Sequence, residues 1–311
     1  MLDRVGSLST SQSLLSQYSQ IQVRMQQTQG QISTGKVGDQ FADVKDKAGV
    51  LAAAKMKAAD VEANTAATKE VLNRLNLQDI HLQQLSDVSA RLRAAIGNAL
   101  AAGHAPGLMD DVKNLYSETV SLLNSKVDGK YIYGGSKTDQ PPVNAPALSD
   151  LLAAPSVAAV FDNSSLKQTQ RIDDNQTIET GMTASDIGTG LFQMFKDIAT
   201  FDAGAGGPLG TNLNTAQTAF LSTQHAAVPA IQNGIDDLAA INGSRHAQVT
   251  AVLDRHESMA TYFSKFIGDI EDVDVAGAIT KLNLDQAAAE AAGRMISELN
   301  KMSLLNFLPI G

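Results

Sequence analysis

The stretch from Val228 to Ile270, VPAIQNGIDDLAAINGSRHAQVTAVLDRHESMATYFSKFIGDI, decides the fold. Steps of alternately three and four residues meet Val228, Ile231, Ile235, Leu238, Asn242, Arg245, Val249, Val252, His256, Met259, Phe263, Phe266 and Ile270. Only Asn242, Arg245 and His256 interrupt an otherwise apolar seam. That spacing puts the apolar side chains on one narrow stripe of an α-helix, the pattern of a helix laid along another in coiled-coil fashion. At about 1.5 Å per residue the stretch makes a rod of roughly 65 Å, which cannot cover its own stripe. Other parts of the chain, or neighbouring copies, must supply that cover.

Composition narrows the field. The chain has 311 residues, 5% aromatic residues and no Trp, which suits long helices better than a compact enzyme. A formal charge of -9 repels nucleic acid and anionic membrane surfaces. With no Cys, disulfides, thiolate metal sites and cysteine nucleophiles are excluded. The first thirty residues hold no unbroken apolar core of the kind a secretory signal needs, and no segment reaches the roughly 20 apolar residues of a membrane span.

Six segments follow from periodicity and punctuation. In residues 1–45, Leu14, Tyr18, Ile21, Met25, Thr28 and Ile32 form a stripe flanked by Ser and Gln, a helix of weak propensity that orders on meeting a partner. Gly35 and Gly38 stop it; the glycine spacing there is wrong for a phosphate loop. Residues 46–129 read as a helical hairpin: one helix carries Leu72, Leu75, Leu82, Leu85, Val88, Leu92 and Ile96, the other runs from Leu108 to a stop at Asp128-Gly129, and the short break between them turns the second back. This hairpin is the expected cover for the rod. Residues 130–187 form a small β-containing insert at the tip of the rod, with strands expected at Tyr131 to Tyr133, Val157 to Phe161 and Gln168 to Ile178. Residues 188–211 are a connecting helix and glycine-rich loop. Residues 212–271 are the long return helix, which Pro229 kinks or restarts. In residues 272–311, Leu284, Ala288, Ala291, Met295, Leu299, Met302 and Leu305 restore a stripe on a C-terminal assembly helix.

Catalytic spacing is absent. The five histidines show no pair at i and i+4, and neither a nucleophile elbow nor a dinucleotide fingerprint occurs. Arg245 and His256 read as polar seam residues that fix helix register and partner choice. Asp173-Asp174-Asn175 reads as a turn between strands, since a twelve-position calcium loop is missing. No cofactor or metal is expected.

Four stretches resemble the flagellin family and, within it, its hook-filament junction members: Gln31-Ile32-Ser33-Thr34-Gly35-Lys36; the run from Gly129 to Pro142, GKYIYGGSKTDQPP; Arg171 to Ile178, RIDDNQTI; and the end from Asp272 to Leu308. In place of the family's Asp-Asp-Pro type of loop stands Phe41-Ala42-Asp43-Val44-Lys45, so contacts of that loop do not transfer. The resemblance implies export in a largely unfolded state through the flagellar type III apparatus without a cleaved signal peptide. It further implies a cytoplasmic chaperone, self-association in a helical ring, hook-side and filament-side neighbours, and an extracellular position. It implies too that residues 14–32 and 284–305 pair in the inner tube.

The reading is therefore a mainly α chain: an elongated antiparallel helical bundle or coiled coil with a small β-containing insert and terminal helices that pair. Its expected role is structural and not enzymatic, joining hook to filament. The alternatives are filament flagellin and a secreted coiled-coil adhesin or translocator.

Overall fold

The computed structural model describes residues 2–38, 47–173 and 175–305, with side chains from residue 12 to residue 299 of those ranges. Among the described residues, seven α-helices carry the fold: α1 Leu2–Thr34, α2 Ala48–Ala102, α3 Leu108–Leu123, α4 Leu148–Ala153, α5 Ala184–Ala203, α6 Thr215–Glu271 and α7 Val275–Leu305. Two antiparallel hairpins complete it, β1 Lys126–Val127 with β2 Lys130–Tyr131 and β3 Thr169–Asp173 with β4 Gln176–Glu179. The chain divides into two compact units, residues 1–61 with 258–311 and residues 62–257.

In the unit of residues 62–257, α6 covers its seam with α2. Asn242 Nδ2 donates to Leu75 O (2.9 Å), Gln232 Nε2 donates to Ser86 Oγ (3.3 Å) and Lys69 pairs with Glu257 (3.0 Å). Residue numbers fall along one helix as they rise along the other, so the two run antiparallel. Val228, Ile235, Val249 and Val252 are buried on the seam, and so are the polar Asn242 and His256. Pro229 sits inside an unbroken α6; the hydrogen bond it forgoes is one among many in a helix fixed by Leu221, Val228 and Ile235 on either side.

The main core gathers Leu82, Leu85, Leu92 and Ile96 of α2, Leu115 and Leu123 of α3, and Leu191, Phe192 and Phe195 of α5. Tyr116 meets Phe192 and Phe195 edge-on, at centroid distances of 5.2 and 5.7 Å. Its hydroxyl donates to Ala145 O at 2.6 Å, which satisfies the polar end of an otherwise buried ring.

The β-containing insert of residues 130–187 packs into this core through Tyr133, Val143, Leu151, Val157, Val160 and Ile187. Several local expectations are corrected. Helix α3 stops at Leu123 because the Asn124 side chain captures the Val143 peptide on both edges, accepting from Val143 N (2.9 Å) and donating to Val143 O (3.0 Å). Asp128-Gly129 is the turn of the first hairpin, with φ of 50° and 77°. Positive φ at both central residues is what a two-residue hairpin turn matching strand twist demands. Residues Val157–Val160 are a 3-10 turn, which sends Val157 and Val160 to the same side and buries both. Helix α5 opens at Ala184, where Thr183 Oγ1 accepts from Asp186 N (3.2 Å) as N-cap.

Candidate assembly site

The unit of residues 1–61 and 258–311 is built on α1 lying against α7. Gly35, at φ 72°, ends α1 in the left-handed conformation that favours glycine. Asp274 opens α7, its Oδ1 accepting from Ala276 N and Gly277 N, both at 3.1 Å. Between the two helices the backbones meet in an antiparallel bridge: Val37 N donates to Glu271 O (2.7 Å) and Val273 N to Gly35 O (2.9 Å). Glu271 is shared by two lysines, Lys55 and Lys36. The hydrogen bond from Lys55 is the main reason its carboxyl lies below the ordinary value of 4.5.

Twelve residues up α1 from the bridge, Arg24 Nη2 donates to Asp285 Oδ1 at 2.7 Å. This bond depresses the Asp285 carboxyl below its ordinary 3.8. Asp285 is buried within the pair, whereas the Arg24 side chain remains 46% exposed. Removing one partner should therefore act unequally. Arg24→Ala leaves a buried carboxylate unmatched, while Asp285→Ala lets Arg24 turn to water. Thermal unfolding is expected to show the larger loss for Arg24→Ala, with equal losses contradicting the assignment. Since both carboxyl values are depressed, their contribution is complete above the ordinary values and is lost as pH falls through the folded ones. Amide protection in residues 12–38 and 275–299, taken relative to an unstructured peptide at the same pH, should stay constant from about pH 7 to 5 and fall only below about pH 4.

The stripe expected on α1 faces its partner: Leu14, Tyr18, Ile21, Met25 and Ile32 are half-buried and Thr28 is buried. On α7 the intrachain stripe runs through Ala278, Leu282, Asp285, Ala289, Ala292, Ile296 and Leu299, all buried or half-buried. Leu284, Ala288, Ala291 and Met295 form a second stripe that the chain leaves uncovered, with Leu284 67% and Met295 55% exposed. On α1, Leu15 and Val23 are also exposed. The side chains of Met302 and Leu305 lie outside the described residues. Of the rod seam in this unit, Ile270 is buried and Phe263 and Phe266 are half-buried, whereas Met259 is exposed. In the other unit Ile231 and Leu238 are half-buried against the main core.

The polar seam residues have partners that periodicity did not reveal. His256 Nε2 donates to Ile172 O (2.9 Å), and Arg245 and Arg255 pair with Glu179 and Asp173, each at 2.6 Å. They hold the β3–β4 hairpin in place. His81 on α2 meets Tyr133 at 2.9 Å. Burial pushes the Tyr133 phenol well up, so its hydroxyl stays protonated, and burial pushes His81 below its ordinary 6.5. The folded state thus holds the neutral ring more tightly than the unfolded chain does. Its contribution is complete above about pH 6.5 and declines as pH falls further. Urea unfolding should show this acid loss in the unsubstituted chain and a flatter profile in His81→Gln; an unchanged slope would contradict the role given to His81.

Among the described residues, no group of three or more His, Cys, Asp or Glu could hold a metal ion, and no helix is long and apolar enough to cross a membrane. A cavity of about 540 Å³ between α2 and the first hairpin is lined by Glu70, Arg74, Leu77, Tyr131, Ile132 and Gln168 among others.

Comparison with known proteins places residues 225–308 on the model of the bacterial flagellin C-terminal helical region. No curated protein is matched by the sequence. Among solved structures, a Vibrio parahaemolyticus protein described as flagellar hook-associated shares 17% identity over 74% of this chain and 98% of its own, with a TM-score of 0.58. FlgL of Xanthomonas campestris shares 12% identity over 69% of this chain and 99% of its own, with a TM-score of 0.55. The likeness at these identities is one of fold. Residues 225–308 are flagellin-like, and among the described residues the chain is mainly helical with two small hairpins.

Proposed function

We propose that this flagellin-like chain is a structural subunit of the bacterial flagellum, set where hook joins filament, and that it assembles through α1 and α7. The observation that carries the reading is the double use of α7. One stripe is satisfied against α1, and the other, Leu284 to Met295, stays exposed in the single copy. An apolar stripe on the outer side of an already paired helix suits contacts with further copies, and head-to-tail contacts between identical subunits build an open helical array or a ring. The match of residues 225–308 to the flagellin C-terminal helical region and the likeness of fold to hook-associated proteins support this reading.

In this proposal the exported chain is secreted without a cleaved signal peptide, accompanied by a cytoplasmic chaperone before export, and acts outside the cell without catalysis. Electron microscopy of the purified chain separates the junction role from that of a filament flagellin. A junction subunit is expected to stay monomeric or form short rings by itself. Unaided growth into long filaments would contradict the junction role.

A further inference from the structure

The region beneath the β3–β4 hairpin differs from the rest of its unit. The hairpin brings two buried apolar side chains, Ile172 and Ile178, to a small cluster with Val71 and Leu75 of α2 and Val249 and Val252 of α6, separate from the main core. Leu72 packs against this cluster as well, and polar contacts add to the hold. Ile172 O accepts from both Thr68 Oγ1 (3.3 Å) and His256 Nε2 (2.9 Å), and Thr180 O, just past β4, accepts from Gln78 Nε2 (3.0 Å). Arg245 and Arg255 pair with Glu179 and Asp173 at its edges.

This polar network is incompletely satisfied. Among the described residues, the buried side-chain polar atoms with no hydrogen-bond partner are Arg74 Nε, Gln78 Oε1, Asn242 Oδ1 and His256 Nδ1. Gln78 and His256 hold the hairpin directly, Asn242 holds Leu75 of the cluster beneath it, and Arg74 holds Ile132 O on the same face of α2. A buried polar atom without a partner has lost its water and gained nothing in exchange, so water entering under the hairpin relieves each of them. The ladder between the strands is itself irregular, with a register shift between Arg171 and Asp173. Both ends of the hairpin are tied together at their base, where Thr180 N and Gly181 N donate to Gln168 O at 2.9 and 3.0 Å. The hairpin can therefore leave and return as a closed piece.

We propose that β3–β4 is a strap that lifts from α2 and α6 as one body while the main core of the same unit stays folded. Lifting uncovers a groove lined by Val71, Leu75, Val249 and Val252. The strap thus makes this groove intermittently available in a folded subunit, and its opening is local and not a step of global unfolding.

Native-state amide exchange on the full chain tests this. Amides of residues 169–179 are expected to exchange at least tenfold faster than those of residues 85–96, and at a rate that low urea leaves unchanged. Ile178→Ala trims an apolar contact of the strap alone and should quicken hairpin exchange at least tenfold with residues 85–96 unchanged. Hairpin amides that exchange with the rate and urea dependence of residues 85–96 would overturn the proposal, as would core amides accelerating in parallel with the hairpin in Ile178→Ala.

Discussion

Alanine at Gly134 is expected to destabilise the unit of residues 62–257 by about 3 kcal/mol, a large fraction of the stability of a typical domain. The cause is steric. A Cβ at this position would stand 1.9 Å from Lys137 O and 3.1 Å from its carbonyl carbon, backbone atoms that cannot swing aside. Those atoms are also fixed from elsewhere: Gly134 O accepts from Lys137 N (3.2 Å) and Ser164 N (3.0 Å), and Tyr133 O next to it accepts from Ala184 N (2.9 Å). Two distant segments, at Ser164 and Ala184, therefore meet this turn at Tyr133-Gly134, and moving the turn disturbs both. Gly103→Ala is the informative control. Gly103 has φ 71° with nothing near its Cβ position, so alanine there costs only the left-handed conformation, about 1 kcal/mol. Urea midpoints of the two variants measure the difference, and similar midpoints would show that the crossing at Gly134 is loose.

Charging the uncovered stripe of α7 should have the largest effect on assembly with the smallest effect on folding. Leu284→Asp with Met295→Asp changes two side chains that are exposed in the single copy, so the helical signal and thermal midpoint should move little, within about 0.5 kcal/mol for exposed sites. In an assembled array the same carboxylates would have to be buried without partners, at several kcal/mol each. Cells carrying the double variant are expected to make normal amounts of folded protein and to lose attached filaments and motility. The matching change on the intrachain stripe, Ala289→Asp, should act in reverse order by disturbing the α1–α7 pair first. Normal motility with the double variant would remove the exposed stripe from the assembly surface.

Much of this architecture is legible in the chain. The seam from Val228 to Ile270 can be read because a 3.6-residue period forces recurrence, and burial alternates along α6 as that period requires. Helix ends at Gly35 and Gly103 are readable because only glycine takes a left-handed backbone at little cost. The phase of α7 was harder. Alanines populate several of its faces, so the stripe through Leu284 and Met295 looks as good in sequence as the one through Leu282, Asp285 and Ile296, and only contact with α1 tells them apart. Asp128-Gly129 serves equally as a helix stop or as a hairpin turn, and the choice rests on the distant Val143 peptide that Asn124 holds. Polar residues on the seam announce that something is special. What they bind, a hairpin about 70 to 85 residues away along the chain, has no local signature.

The central claim is that the outer stripe of α7 is free in a single copy and covered once copies assemble. The chain has no cysteine, so Leu284→Cys supplies a unique thiol there. Its rate of reaction with a maleimide, measured on the purified chain and on intact flagella, tests the claim directly. The account predicts rapid labelling of the free chain and at least a tenfold slower reaction in the assembled state. Equal rates in both states, with the variant present in the flagella, would contradict it.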